Sequence, residues 1–227
     1  MGNLEQAIKY PFAEARWESK FLLGGVLSIL GSGLGFIPYV GFIFWILVSF
    51  LVLGYAYKIF RDHLRGEDRP MPAWGEWGDL FIRGMFVFLI SLGYWIIPLF
   101  LYWLGKTFWY QGGFAAFIGV LFLIIGVGVG LVAFFLLPMA LAFYVEEGEF
   151  LAAAFRWKGI VEKIWVVQRE YFVGWLAGLI ILLALLYLRT QVPYVGWILY
   201  ALGFFYLSVV MAKLFGRICR EGMGHKL

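Results

Sequence analysis

The chain has 227 residues, of which 63% are hydrophobic and only 14% charged, with a mean hydropathy of +0.89 and a formal net charge of +4. A soluble domain carries about 45–50% apolar and about 25% charged residues, so this composition excludes an ordinary soluble globule and points to a membrane protein. A single cysteine, Cys219, excludes an internal disulfide and a thiolate metal cluster.

Residues 1–20 contain Glu5, Glu14 and Glu18 and no compact apolar core, so no cleavable signal peptide is expected. Gly2 does not open a myristoylation motif, because position 6 is Gln6 rather than Ser or Thr. Leu4, Ile8, Phe12 and Ala15 make a rough amphipathic stripe, broken at Pro11. Charge-free runs follow at 21–57, 84–105, 107–145, 171–188 and 190–212. A spanning helix needs roughly 20 apolar residues, and the first run, of 37, is too long for one. Its midpoint, GSGLGFIPYVG, supplies the glycines and the proline of a turn. Lys106 alone separates the second and third runs, and Arg189 alone the last two. The reading is an all-α integral membrane protein of six transmembrane helices in three hairpins.

The charges orient these hairpins. Sixteen of the eighteen Lys and Arg residues, and all 14 acidic residues, fall in 1–20, 58–83, 146–170 and the C-terminal tail. Lys106 and Arg189 stand alone on the opposite side. The positive-inside rule then predicts cytoplasmic N- and C-termini and a location in a cytoplasmic membrane. His63 and His225 lie in charged segments and are read as solvated.

The phrase PYVG occurs at 38–41 and again at 193–196, an offset of 155. At that offset, residues 37–65 and 192–220 share ten identities, including the basic exit Lys58, Phe60, Arg65 against Lys213, Phe215, Arg220. Both copies enter and leave on the same side, which predicts two parallel repeats. Residues 1–227 then form one membrane domain: 1–66 the first repeat, 67–145 a loop and central hairpin, 146–222 the second repeat. Before the second copy, Phe150, Ala154, Trp157, Val161 and Ile164 fall at helical spacing and predict an amphipathic helix in the headgroup plane.

No Asp, Glu, Lys, Arg or His falls inside a predicted span. Ionisable groups at membrane depth mark proton relays and intramembrane catalysis, so the expectation is a protein that is not an enzyme and has no cofactor or metal. Pro98 and Pro138 interrupt spans and would free the carbonyls of Tyr94 and Phe134, as helix breaks or as part of a pathway. Gly126 and Gly130 have the small-xxx-small spacing of close helix packing. In the loop RDHLRGEDRPMPAWGEWGDLFIR, Trp74 and Trp77 are candidate interfacial anchors, as are Trp157 and Trp165 further on. Lys58, Arg61 and Arg65, with Lys213, Arg217 and Arg220, are candidate contacts to anionic headgroups.

YPF at 10–12, KIFRDHLRGE at 58–67, PMPAWGEWGDLFIRG at 70–84 and EEGEFLAAAFRW at 146–157 carry a resemblance. In these motifs the chain resembles a family of archaeal and bacterial integral membrane proteins, domain of unknown function 4013. The resemblance implies a multi-pass prokaryotic membrane protein and brings no activity, substrate or functional residue with it. The expected function is a non-catalytic component that organises lipid or supports a membrane complex. The alternative is a passive channel or carrier for a neutral or lipidic molecule between the repeats. Expected partners are membrane lipids, other membrane proteins or further copies of the chain, and not nucleic acid.

Overall fold

A computed structural model describes residues 2–13, 17–34, 40–192 and 195–224, and every regular element among them is helical. In chain order these are α1 (Gly2–Lys9), a 3-10 turn (Tyr10–Phe12), α2 (Trp17–Leu34), α3 (Val40–Leu64), α4 (Trp77–Trp109) and α5 (Gly113–Glu146). A second 3-10 turn (Leu151–Phe155), α6 (Trp157–Val166), α7 (Gln168–Gln191) and α8 (Val195–Met223) complete the chain. Five of these, α3, α4, α5, α7 and α8, are long and apolar enough to cross a membrane. The chain is a multi-pass membrane protein. The described part of α2 begins with Trp17, Glu18, Ser19 and Lys20, which leaves 14 uncharged residues, or roughly 21 Å of helix against a hydrocarbon core of about 30 Å. The turn residues Pro38, Tyr39, Pro193 and Tyr194 lie outside the described residues, whereas α3 and α8 begin at Val40 and Val195, which the offset of 155 pairs.

Contacts divide the chain into two compact units, Met1–Val87 with Glu162–Leu227, and Phe88–Val161. In the first unit α2, α3, α7 and α8 pack directly on one another, and glycine makes the approach possible. A methyl group at Gly24 would sit 2.0 Å from the ring of Phe205, and one at Gly25 2.5 Å from Leu202. One at Gly178 would sit 2.3 Å from Met211, and one at Gly203 2.4 Å from Leu185. The tightest crossing joins α3 to the first turns of α4. There a methyl at Gly54 would lie 1.9 Å from the carbonyl oxygen of Leu80, and one at Gly84 1.7 Å from that of Phe50.

In the second unit α4 and α5 form a hairpin through Tyr110–Gly112. Gly112 (φ 73°) and Gly113 (φ 55°) take left-handed conformations that a Cβ would strain. Methyl groups at Gly126 and Gly130 would meet Leu101 at 3.2 Å and Trp95 at 3.2 Å, so both glycines face α4. The segment after α5 departs from the single amphipathic helix that its spacing predicts. It is a 3-10 turn over Leu151–Phe155, an irregular Arg156 (φ −81°, ψ 69°) and then α6. The hydroxyl of Tyr94 donates to the carbonyl of Ala154 at 2.6 Å, and the Phe155 ring occupies the space over Gly93. A continuous α-helix would direct that Ala154 carbonyl to its own fourth successor. The predicted stripe is therefore divided: Ala154 and Ile164 are buried, while Phe150, Trp157 and Val161 are exposed.

Gly84→Ala should lower the thermal midpoint in detergent markedly, because its neighbour is backbone and cannot move aside; overpacking of this kind costs about 1–3 kcal/mol. Gly128→Ala, with nothing within 4 Å of the added methyl, should leave the midpoint unchanged. Differential scanning fluorimetry of the two variants checks the contrast.

Candidate functional site

Residues 65–76 join α3 to α4 with the sequence RGEDRPMPAWGE. Pro70 and Pro72 remove two backbone donors, and Gly66 takes a left-handed φ of 82°, so the segment builds no helix of its own. A buried backbone carbonyl without a partner costs free energy, so each needs a donor from elsewhere. Three side chains of the first unit supply them. Tyr10 Oη donates to the carbonyl of Arg69 at 3.2 Å, Lys20 Nζ to that of Met71 at 2.5 Å, and Tyr55 Oη to that of Pro72 at 2.9 Å. In return, Trp74 Nε1 donates to the carbonyl of Lys20 at 2.8 Å. The Trp74 ring stacks on Tyr55 with centroids 4.1 Å apart and planes 7° apart. Met71 is 2% exposed and Tyr55 fully buried. The segment is a strap folded into the unit.

Beside the strap lies a cluster of charged side chains. Asp68 Oδ1 is 3.3 Å from Lys213 Nζ on α8 and 3.4 Å from His63 Nε2 on α3. Lys213 is 7% exposed and His63 2% exposed, whereas the Asp68 side chain is 76% exposed. His63 Nδ1 donates to the carbonyl of Ile59 at 2.8 Å, which places the proton on that nitrogen and turns Nε2 toward Asp68. Nε2 is buried and makes no hydrogen bond among the described residues. The ammonium of Lys213 also lies 4.3 Å from the centre of the Tyr10 ring, whose plane meets His63 edge-on at 5.2 Å. Partial burial opposes ionisation of Asp68. Lys213, through its charge and its hydrogen bond, and then His63 and Arg217 outweigh that effect and hold the carboxyl below its ordinary range.

The sequence-predicted residues fall around this cluster unequally. Lys58 pairs with Glu76 at 3.0 Å and Arg61 with Asp62 at 3.8 Å, so their charges, like that of Lys213, are balanced within the fold. Arg65 is exposed, Arg217 bonds Gln6 at 2.5 Å, and the Arg220 guanidinium lies over Gly66, 2.6 Å from where a Cβ would be. Gly216 lets α8 press within 2.7 Å of the Phe60 carbonyl when measured from a notional Cβ, so the two basic helix ends meet. Trp77 and Trp165 are exposed, at 44% and 66%, and Trp74 faces inward. In the second unit Tyr94 is buried, with Trp157 4.8 Å from its ring. Pro98 is packed under Gly130, and Phe134 and Pro138 are half-buried.

Sequence reasoning passed over Tyr10, Lys20, Tyr55, Asp68 and His63. His63, read as solvated from its charged neighbours, is buried because α8 and the first 3-10 turn cover it; His225 lies outside the described residues. The one usable signal is the density of polar and proline residues in 61–72, which states that a loop exists and not that it turns inward.

The family model described as Protein of unknown function (DUF4013) matches residues 34–214, and the chain belongs to that family. No curated protein and no solved structure matches the chain. The matched segment contains the strap together with Tyr55, His63 and Lys213, and ends before Arg217 and Arg220.

Two outcomes follow from this geometry. Tyr55→Phe strands the Pro72 carbonyl and should cost about 1–3 kcal/mol of stability in a denaturant titration. Because the Asp68 carboxyl titrates below its ordinary range, its contribution is present above about pH 4 and is lost as the pH falls below that value. The difference in thermal midpoint between wild type and Asp68→Asn should therefore vanish in acid. It should also shrink at high salt, because Asp68 is largely exposed.

Proposed function

We propose that this member of the DUF4013 family is a non-catalytic component of a prokaryotic cytoplasmic membrane that organises anionic lipid at its charged end. In this reading α2 completes a sixth span, and the paired starts of α3 and α8 reflect two parallel repeats. The termini and the strap lie on the cytoplasmic side, where the positive-inside rule directs the basic segments. The exposed stripe Trp157, Val161 and Trp165 of α6 sits in the headgroup plane.

One observation carries the choice of a structural role over a carrier: the space between the two halves of the first unit is filled by side chains seated on glycines. Phe205 lies on Gly24, Leu202 on Gly25 and Trp197 on Gly33. A carrier for a neutral molecule would need Tyr94, Tyr102, Tyr187 or Tyr200 turned toward a cavity at mid-depth, whereas Tyr102 and Tyr187 are 56% and 65% exposed and the hydroxyl of buried Tyr94 is taken by the Ala154 carbonyl. Lys58, Arg61 and Lys213 are engaged with acidic residues, and the headgroup contact is assigned to exposed Arg65 together with Arg217 and Arg220 near the end of α8.

Native mass spectrometry from nanodiscs of mixed phosphatidylglycerol and phosphatidylcholine tests this reading. The protein should retain phosphatidylglycerol preferentially, and replacing Arg65, Arg217 and Arg220 together by Gln should abolish the preference, each charge contributing about 1 kcal/mol near the surface. Proteoliposomes should pass glycerol and urea no faster than empty vesicles. Equal retention of both lipids, or rapid solute flux, overturns the proposal.

A further inference from the structure

The Lys213–His63 pair has the character of a binding site that already holds a ligand surrogate. Two polar groups on different helices, both more than nine-tenths buried, converge on one carboxylate oxygen, while the residue bearing that oxygen is the most exposed member of the cluster. The strap does not need this contact to stay closed, because Tyr10, Lys20 and Tyr55 bond its carbonyls independently. A buried ammonium, by contrast, does need an anion, since removing one partner of a buried pair leaves an uncompensated charge. Arg217 adds a second cation acting on the same carboxylate. Asp62, the other acid near His63, is engaged with Arg61 at 3.8 Å.

We propose that Lys213 and His63 form a phosphate-binding site, and that Asp68 occupies it as an internal stand-in. Lys213 Nζ supplies a positive donor to a phosphate oxygen. His63 Nε2, with its proton held on Nδ1, accepts from a P–OH group, which a carboxylate cannot offer and a hydrogenphosphate or phosphomonoester can. This accounts for the orphaned Nε2: it faces Asp68 at 3.4 Å with a lone pair against an acceptor. The Tyr10 ring, edge-on to His63 and against the Lys213 ammonium, forms one wall of the site. The ligand class is therefore a phosphomonoester or inorganic phosphate, and phosphodiesters bind less well. The proposal goes beyond the lipid reading, which rests on other basic residues and on a phosphodiester headgroup. Its inorganic arm stands apart from that reading, because free phosphate carries no acyl chain.

The test uses the full chain with Asp68→Ala, and Asp68→Asn as a second variant, in nanodiscs of phosphatidylcholine and phosphate-free buffer. Asp68 is exposed, so neither change leaves a cavity. In a His225→Gln background with 15N-labelled histidine, inorganic phosphate should shift the His63 Nε2 resonance in Asp68→Ala. Binding should be about tenfold tighter than in wild type, the worth of one charge-assisted hydrogen bond freed from competition. Adding Lys213→Met should remove the response. In parallel, native mass spectrometry compares retention of phosphatidic acid and phosphatidylcholine. Tighter inorganic phosphate alone identifies a free-anion site. Tighter phosphatidic acid alone identifies a headgroup site, and both together a monoester site open to either source. Wild-type and Asp68-variant proteins that bind inorganic phosphate and phosphatidic acid equally, or not at all, overturn the proposal, as does a response that survives Lys213→Met.

Discussion

The strap's three carbonyls, at Arg69, Met71 and Pro72, are bonded by side chains rather than by any helix or sheet. That constraint governs the charged end of the first unit. A segment with two prolines cannot satisfy its own backbone, and it can enter a packed interior only where donors wait for it. Those donors come from the first 3-10 turn, α2 and α3, so the strap joins elements far apart in sequence. Trp74, stacked on Tyr55 and 6.2 Å from Phe205 of α8, extends the same joint to a fourth element. Met71 and the strap's backbone are thus core, although no periodic pattern surrounds them.

The helices meet closely for a different reason. With lipid outside, hydrophobic burial does little to press one apolar helix onto another, and association depends on fit. Glycine supplies the fit at every major crossing. Gly54 and Gly84 bring α3 against α4, Gly24 receives Phe205, and in the second unit Gly119 admits the backbone of Gly105 and Trp109. The large aromatic side chains need these recesses, since a ring laid against a small residue fills the gap that two large residues would prop open. The aromatic content of this chain and its 29 glycines are two halves of one packing solution.

Much of this was legible in the residues. The hydropathy runs located the long helices, the bend at Tyr110–Gly112 came one turn after Lys106, which lies in the last turn of α4, and PMPAWGEWGDLFIRG pointed to the family to which the chain belongs. The amphipathic segment at 150–164 was not legible as it stands, because Tyr94, some sixty positions away, takes the carbonyl that a continuous helix would use. Nor was the site. Asp68, His63 and Lys213 are ordinary charged residues of a positive-inside segment until α3 and α8 are laid side by side. Only then do two of them prove to be buried and one exposed. Spacing along one helix conveys local faces, whereas this cluster is made by a contact across 145 positions.

The strap is part of the folded interior, and its burial can be read residue by residue. Water-soluble maleimide labelling of Met71→Cys in a Cys219→Ser background, in nanodiscs, measures that directly, with Arg69→Cys as the exposed control. The thiol at position 71 should be protected while the thiol at position 69, two residues away, reacts rapidly. Equal and rapid labelling at both positions would instead show a strap that lies free of the bundle.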